Sequence, residues 1–326
     1  MKLLFLGGTR FLGRHCVDLA LAHGHEVTLF TRGKTANPFG ARVVALHGDR
    51  DPNNAPGLDA LSARHWDAVI DTSGYVPRVV GASVATLASR ASRYLFVSSI
   101  SAYAKLDHPG ADESAPLANL EAPDSEEILK HYGALKAACE RVVEQAFGSR
   151  ATIVRPGLIV GPCDASDRFG YWVARFVHPS LLGERSMHAV VPAPASQHIQ
   201  FIDARDLAAF ILDLVERDIG GTFNATSPAG QWTFSDLVHA LTHGARSPPQ
   251  PCWIDDRTLL DAGVEPWVGL PLWIPAGEPD HAGVNRIDCR KAQALGLASR
   301  PLEQTIADTA EWLLARDNTS AWKLTL

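Results

Sequence analysis

Lys2-Leu3-Leu4-Phe5-Leu6-Gly7-Gly8-Thr9-Arg10-Phe11-Leu12-Gly13 decides the fold. The apolar run Lys2–Leu6 has the length of a strand. The glycine turn behind it opens at once into Phe11–Ala22, where apolar residues recur at the three- and four-residue spacing of a helix. A glycine turn is informative in this strand-to-helix context. Small residues let the backbone approach a pyrophosphate, and the free N–H groups at the helix start bind it. The turn therefore predicts dinucleotide binding.

Working outward, Glu26–Phe30, Arg42–Leu46, Ala68–Asp71, Tyr94–Val97 and Ala151–Val154 read as further strands, with helices over Val79–Ala88 and His131–Phe147. The strand runs are continuously apolar, as expected of a parallel sheet covered on both faces. This predicts an α/β fold, a Rossmann-type doubly wound parallel sheet. Beyond Pro156 the pattern becomes irregular, and seven of the eight tryptophans lie from Trp172 onward. Gln200–Ile202, the helix Ala204–Val215 and Thr222–Ala225 look like a return to the sheet. The reading is thus a dinucleotide-binding domain over 1–160 and 199–227, and a smaller, discontinuous C-terminal substrate-binding domain over 161–198 and 228–326. Thr233-Phe234-Ser235-Asp236 has capping-box spacing for a helix ending near Leu241, and Glu303–Leu314 closes the chain as an amphipathic helix.

Composition is that of a folded globular protein: 46% hydrophobic and 20% charged in 326 residues. A net charge of −6 without blocks of like charge offers no footprint for nucleic acid or anionic lipid. Cys16, Cys139, Cys163, Cys252 and Cys289 form no C-x-x-C pair and read as buried small residues in a reducing cytoplasm. The apolar run before Gly7 is too short for a signal-peptide core, and no stretch has the length of a membrane span. The 13 histidines are not read as a metal site.

Three further patterns carry chemistry. After the second strand, where an acid would hold the ribose hydroxyls of NAD, stands Thr31-Arg32-Gly33-Lys34. Arg32 and Arg10 suit a 2′-phosphate, so NADP(H) is preferred to NAD(H). Tyr132-Gly133-Ala134-Leu135-Lys136 sets a phenol and an ammonium four residues apart on one helix face. A phenol is a poor base near neutral pH, and an adjacent cation stabilises phenolate. Val97-Ser98-Ser99-Ile100-Ser101-Ala102-Tyr103 ends the fifth strand at the carboxyl edge, where ligands bind. A serine there hydrogen-bonds a substrate oxygen while the tyrosine exchanges its proton.

Together these residues resemble the extended short-chain dehydrogenase/reductases, the NAD-dependent epimerase/dehydratase family. The resemblance covers nearly the whole chain: the Gly7–Gly13 turn, Val97–Tyr103, Tyr132–Lys136, Val154–Pro162, Phe201–Ala208, Phe223–Thr226 and, near the end, Asp288, Lys291, Leu295-Gly296 and Pro301-Leu302-Glu303. It implies Ser99 rather than Ser98 as the catalytic serine, with Tyr132 and Lys136. Gly7, Thr9, Arg10, Phe11, Leu12 and Gly13 would form the pyrophosphate turn, and Asp49 would face the adenine. Thr72, Ser73 and Gly74 would pass under the nicotinamide ribose, and Pro156 would touch the ring.

Two departures narrow what the resemblance implies. The family's dehydratases place an acid shortly after the serine, whereas Ile100-Ser101-Ala102 supplies none, so dehydration is not expected. Gln197-His198-Ile199-Gln200 lacks the arginine usual in members acting on nucleotide sugars. Tyr75, Tyr103, Arg168, Tyr171, Trp172 and His198 are the candidates for contacts to a small polar or sugar-like substrate. The expected activity is hydride transfer between NADP(H) and a secondary alcohol or ketone. The alternatives are an epimerase without net redox change and a non-catalytic RNA-binding relative, since a chloroplast branch with a similar Gly-Gly-Thr-Arg-Phe turn binds RNA. A homodimer is left open.

Overall fold

Strand β1 (Lys2–Leu6) buries Leu3 and Phe5 in one apolar cluster and Leu4 and Leu6 in another, because successive side chains leave a strand on opposite faces. Such a strand belongs in mid-sheet. In the computed structural model, which describes residues 1–122, 124–183 and 187–316, β1 pairs in parallel with β2 (Glu26–Thr31) on one side. Its other partner is β4 (Trp66–Asp71), the strand after β3 (Val44–His47). β5 (Ala91–Val97) and β6 (Ala151–Pro156) extend the sheet beyond β4. Four short strands follow outside it: β7 (Leu158–Val160), β8 (His188–Ala193), β9 (His198–Ile199) and β10 (Phe201–Asp203). β11 (Gly221–Ala225) then rejoins as the seventh member, giving the parallel order β11-β6-β5-β4-β1-β2-β3. The order reverses between β1 and β4, and their carboxyl ends part there to open a crevice.

The expected return of Gln200–Ile202 to this sheet does not occur. β11 already occupies the free edge of β6, in register from Thr152–Gly221 to Pro156–Ala225. β10 pairs instead with β7, Phe201 opposite Leu158, in a separate two-stranded sheet. Two strands cannot share one edge.

Helices α1 (Phe11–Ala22), α2 (Pro77–Leu87) and α3 (Ile128–Phe147) precede α4 (Arg168–Val177) and α5 (Ala204–Glu216). α1 and α5 share the cluster of Leu3 and Phe5 through Cys16, Val17, Leu207 and Ile211. α2 and α3 cover the opposite face through Val80, Val84, Cys139 and Val143. A further core gathers α4, α6 (Phe234–His243), α7 (Asp256–Asp261) and α9 (Leu302–Ala315) around Trp172 and Trp273, both 0% exposed. Much of the tryptophan enrichment is therefore packing. Thr233 and Asp236 form the anticipated capping box. All five cysteines are free, but only Cys16, Cys139 and Cys289 are buried; Cys163 and Cys252 are half-buried. No helix of the described residues is long and apolar enough to cross a membrane. Residues 317–326 of the expected C-terminal domain lie outside the described residues.

Candidate active site

The crevice at the carboxyl edge is an open cleft of about 1890 Å³ that reaches from the Gly7–Gly13 turn to Trp267 and Ile274. Gly7 and Gly8 have φ of +103° and +93°, a backbone region that other residues enter only with strain. A Cβ on Gly13 would stand 2.8 Å from the Gly8 Cα, so glycine here lets α1 start against the turn. The first turn of α1 holds no acid, and its N-cap residue Arg10 makes no capping hydrogen bond. Its N–H groups are thus left for an anion. These features fit a dinucleotide pyrophosphate.

At the far end of this turn Arg10 and Arg32 are both exposed on the cleft wall, and Thr31 closes β2 with no acid behind it. Asp49 also lines the cleft, yet its carboxylate is engaged locally. It accepts the Asp51 N–H at 3.0 Å and the Asn54 amide at 3.3 Å. Thr72 and Ser73 line the floor and donate to the Leu6 carbonyl at 3.4 and 2.9 Å. Gly74 lies beneath them, buried, where a Cβ would come within 2.6 Å of the Phe96 ring. Its contact is with Lys136 rather than with the cleft. Pro156, the last residue of β6, lines the cleft floor.

Tyr132, Ser99 and Lys136 meet at the middle of the cleft. His131 departs from helical geometry, with φ −120° and ψ 25°, so the regular part of α3 begins at Tyr132 itself. Gly133 sets the distance. A Cβ there would fall 2.0 Å from the Ser101 carbonyl oxygen, so only glycine lets α3 press against the Ser99–Ala102 turn. This sets the Ser99 hydroxyl and the Tyr132 phenol together on the cleft wall. Burial pushes the Tyr132 phenol above its ordinary value and Tyr75 adds to this, while the Ser99 hydroxyl and the Arg168 charge act in the opposite sense.

Lys136 is 3% exposed and donates to the carbonyls of Gly74 at 2.8 Å and Val97 at 2.6 Å. Burial pulls its ammonium down to about 8. Two of its three hydrogens are turned to these carbonyls. A weaker charge effect that favours phenolate comes from Arg168. Nothing in the sequence pointed to this role of Arg168, since the rest of α3, β6 and β7 lie between it and Tyr132.

Ser98 is removed from the chemistry by a buried network that sequence reading missed. Its hydroxyl donates to Glu140, which receives the Arg155 guanidinium at 2.7 Å. Arg155 also donates to the Tyr103 hydroxyl at 3.1 Å, and that hydroxyl donates to Asn224 at 2.7 Å. Tyr103 therefore offers the cleft only its ring. Glu140 lies one helical turn after Lys136, and that spacing was the available signal. Under the floor Arg50 forms a second buried pair with Asp71, at 2.6 and 2.7 Å. Removing one partner of such a pair costs about 3–5 kcal/mol.

Of the remaining substrate candidates, Tyr75 and Arg168 line the cleft, with the Arg168 guanidinium 5.9 Å from the Trp267 ring. Trp172 does not. It is wholly buried, and its indole donates to the Pro271 carbonyl at 3.0 Å. Tyr171 is 4% exposed in the same core. His198 sits in the β9 pairing with Thr233 of β12 (Trp232–Thr233), away from the cleft lining. Trp172 and Tyr171 serve packing, because α4 is buried from Phe169 to Phe176 in the second core. His239 and His243 stand one turn apart on α6, rings 4.3 Å apart, a histidine pairing the sequence reading passed over.

Residues 3–225 match the sequence profile of the NAD dependent epimerase/dehydratase family. Among curated relatives, the chloroplast stem-loop binding protein of 41 kDa b from Arabidopsis thaliana is 31% identical over 175 residues, 49% of this chain and 43% of that one. The 2-alkyl-3-oxoalkanoate reductase of Stenotrophomonas maltophilia is 31% identical over 183 residues, 50% of this chain and 52% of its own. The chain thus spans about half the length of these two. The ceramide reductase of Caulobacter vibrioides is 26% identical over 281 residues, covering 81% and 77%. Among solved structures, UDP-N-acetylglucosamine 4-epimerase from Bacillus cereus superposes with a TM-score of 0.67 at 17% identity, over 99% of both chains. The glycine turn, the parallel sheet and the profile agree, and the chain belongs to the NAD dependent epimerase/dehydratase family of enzymes.

Proposed function

We propose that the protein reduces a ketone to a secondary alcohol with NADPH in the cytoplasm. The observation that carries this reading is that Ser99, Tyr132 and Lys136 line one cleft continuous with the Gly7–Gly13 turn. Bound nicotinamide supplies the hydride. Because burial raises the phenol, Tyr132 keeps its proton at neutral pH and stands ready as an acid, the role that reduction requires. Ser99 accepts the Ser101 N–H at 3.1 Å, which orients its oxygen and leaves its hydrogen for a substrate oxygen. Lys136 has one N–H beyond its two carbonyl bonds and directs it to the nicotinamide ribose. Arg10 and Arg32 take the 2′-phosphate; Asp49 and Pro156 border the adenine and the nicotinamide. Arg168, with Trp267 and Ile274 beside it, holds a polar group next to an apolar portion of the substrate.

Two relatives named as reductases support net reduction. The test is absorbance at the reduced-nicotinamide band during a ketone screen. Consumption of NADPH with alcohol product is expected; isomerised product without consumption would make the protein an epimerase. The stem-loop binding relative favours a second reading. Tight, salt-sensitive binding of structured RNA with no cofactor affinity would replace the first reading by that one.

A further inference from the structure

At the amino edge of the sheet, outside the cleft lining, the α1–β2 turn and the end of α5 meet at one carboxylate. α1 ends in a left-handed glycine turn, Gly24 at φ +78°, with the His23, Gly24 and His25 N–H groups donating to the carbonyls of Leu19, Leu21 and Ala20. The reversal brings the side chains flanking Gly24 together. His23 Nδ1 lies 2.8 Å and His25 Nε2 2.6 Å from the same oxygen, Oε1 of Glu216, the last residue of α5. All three atoms lie within 4.8 Å of one another. The other ring nitrogen of His25, Nδ1, lies 3.2 Å from the Met1 nitrogen, so Nε2 is the atom turned to the cluster.

We propose that His23, His25 and Glu216 form a binding site for a zinc-class divalent transition-metal ion, with water in the fourth position. Two imidazoles and a carboxylate are the donor set that such ions select, whereas calcium and magnesium take oxygen ligands. Tetrahedral zinc with bonds of about 2.0–2.2 Å sets neighbouring ligand atoms about 3.3 Å apart. The two contacts to Glu216 need open by only a fraction of an ångström, with the two imidazole nitrogens already within 4.8 Å of each other. Glu216 and His23, 30% and 45% exposed, have room to do this, while His25 at 10% is the anchored ligand. α1 and α5 both end here, and helix C-termini favour a cation. The ion replaces the imidazole protons now shared with Glu216 and ties the α1–β2 turn to α5, so it stabilises the fold by mass action.

The test is calorimetric titration of chelator-treated full-length protein with Zn²⁺ near pH 7.5, in a His239→Ala/His243→Ala background that removes the helical pair. One equivalent is expected to bind, to raise Tm and to release protons, with affinity falling as pH is lowered. Co²⁺ should give visible bands of four-coordinate intensity. Glu216→Gln, which keeps the side-chain shape, and the exposed His23→Ala should each weaken Zn²⁺ binding by about a hundredfold or more, with circular dichroism unchanged. Absence of stoichiometric binding, or equal binding by Glu216→Gln and the background protein, would overturn the site and leave a hydrogen-bonded triad only.

Discussion

The two ends of the cleft are built on different principles. The pyrophosphate end is one continuous turn, Gly7–Gly13, whose working parts are backbone N–H groups and missing side chains. The substrate end is assembled from distant segments, as where the Tyr103 hydroxyl meets Asn224, 121 positions away. A contiguous backbone device is dictated by local sterics. A wall of side chains depends on how every intervening element packs, so its members change roles freely.

That contrast can be broken most directly at the point where the two ends meet. Tyr132→Phe removes one oxygen, and turnover should fall by about 10²–10⁴ while cofactor titration stays unchanged. An active variant with an unaltered pH–rate profile would falsify the proton-donor assignment.

The next largest effect separates wall from core. Trp172→Ala should cost about 3–5 kcal/mol in urea unfolding, whereas Trp267→Ala should leave stability nearly intact and raise KM. If KM instead followed Trp172, the substrate wall would have to include the second core.

Lys136 tests the shared floor. Its ammonium is held down to about 8 in the folded chain against about 10.5 in a model peptide. Below pH 8 both states are charged and the folded protein bears the full cost of burial. Between these values the unfolded state binds the extra proton, so stability rises with pH by roughly 3 kcal/mol. Lys136→Met should lack this rise in denaturation curves taken from pH 7.5 to 10. Parallel curves for the two proteins would mean that the lysine is solvated.

Arg32→Ala probes the cofactor end. It should weaken NADPH about ten- to a hundredfold, the worth of a charge-assisted hydrogen bond, and NADH far less. Equal losses in a fluorescence titration would make Arg32 a loop residue.

Several features were legible before any coordinates. Lys2–Leu6 and Phe11–Ala22 occupy the ranges their patterns predict, and the Thr233 capping box forms as its spacing requires. Other readings went astray where a residue had two destinations. Phe201–Asp203 has the composition of a sheet strand but finds the β6 edge taken by β11. Trp172 has the chemistry of a ligand contact but lies in the stretch of α4 buried in the second core. Gly74 stands in the right loop yet serves Lys136 from below.

What the sequence by itself determined is therefore the parallel sheet, the glycine turn and the presence of Ser99, Tyr132 and Lys136, since these follow from strand and helix periodicity and from glycine's lack of a side chain. Tertiary structure alone decided which groups act on which. Glu140 and Arg155 claim Ser98, Gly133 lets α3 close on the Ser99–Ala102 turn, and the Gly74 and Val97 carbonyls hold Lys136. The physical reason is that burial, hydrogen bonding and charge act through distances of a few ångströms, and those distances are fixed only when segments far apart in the chain have packed.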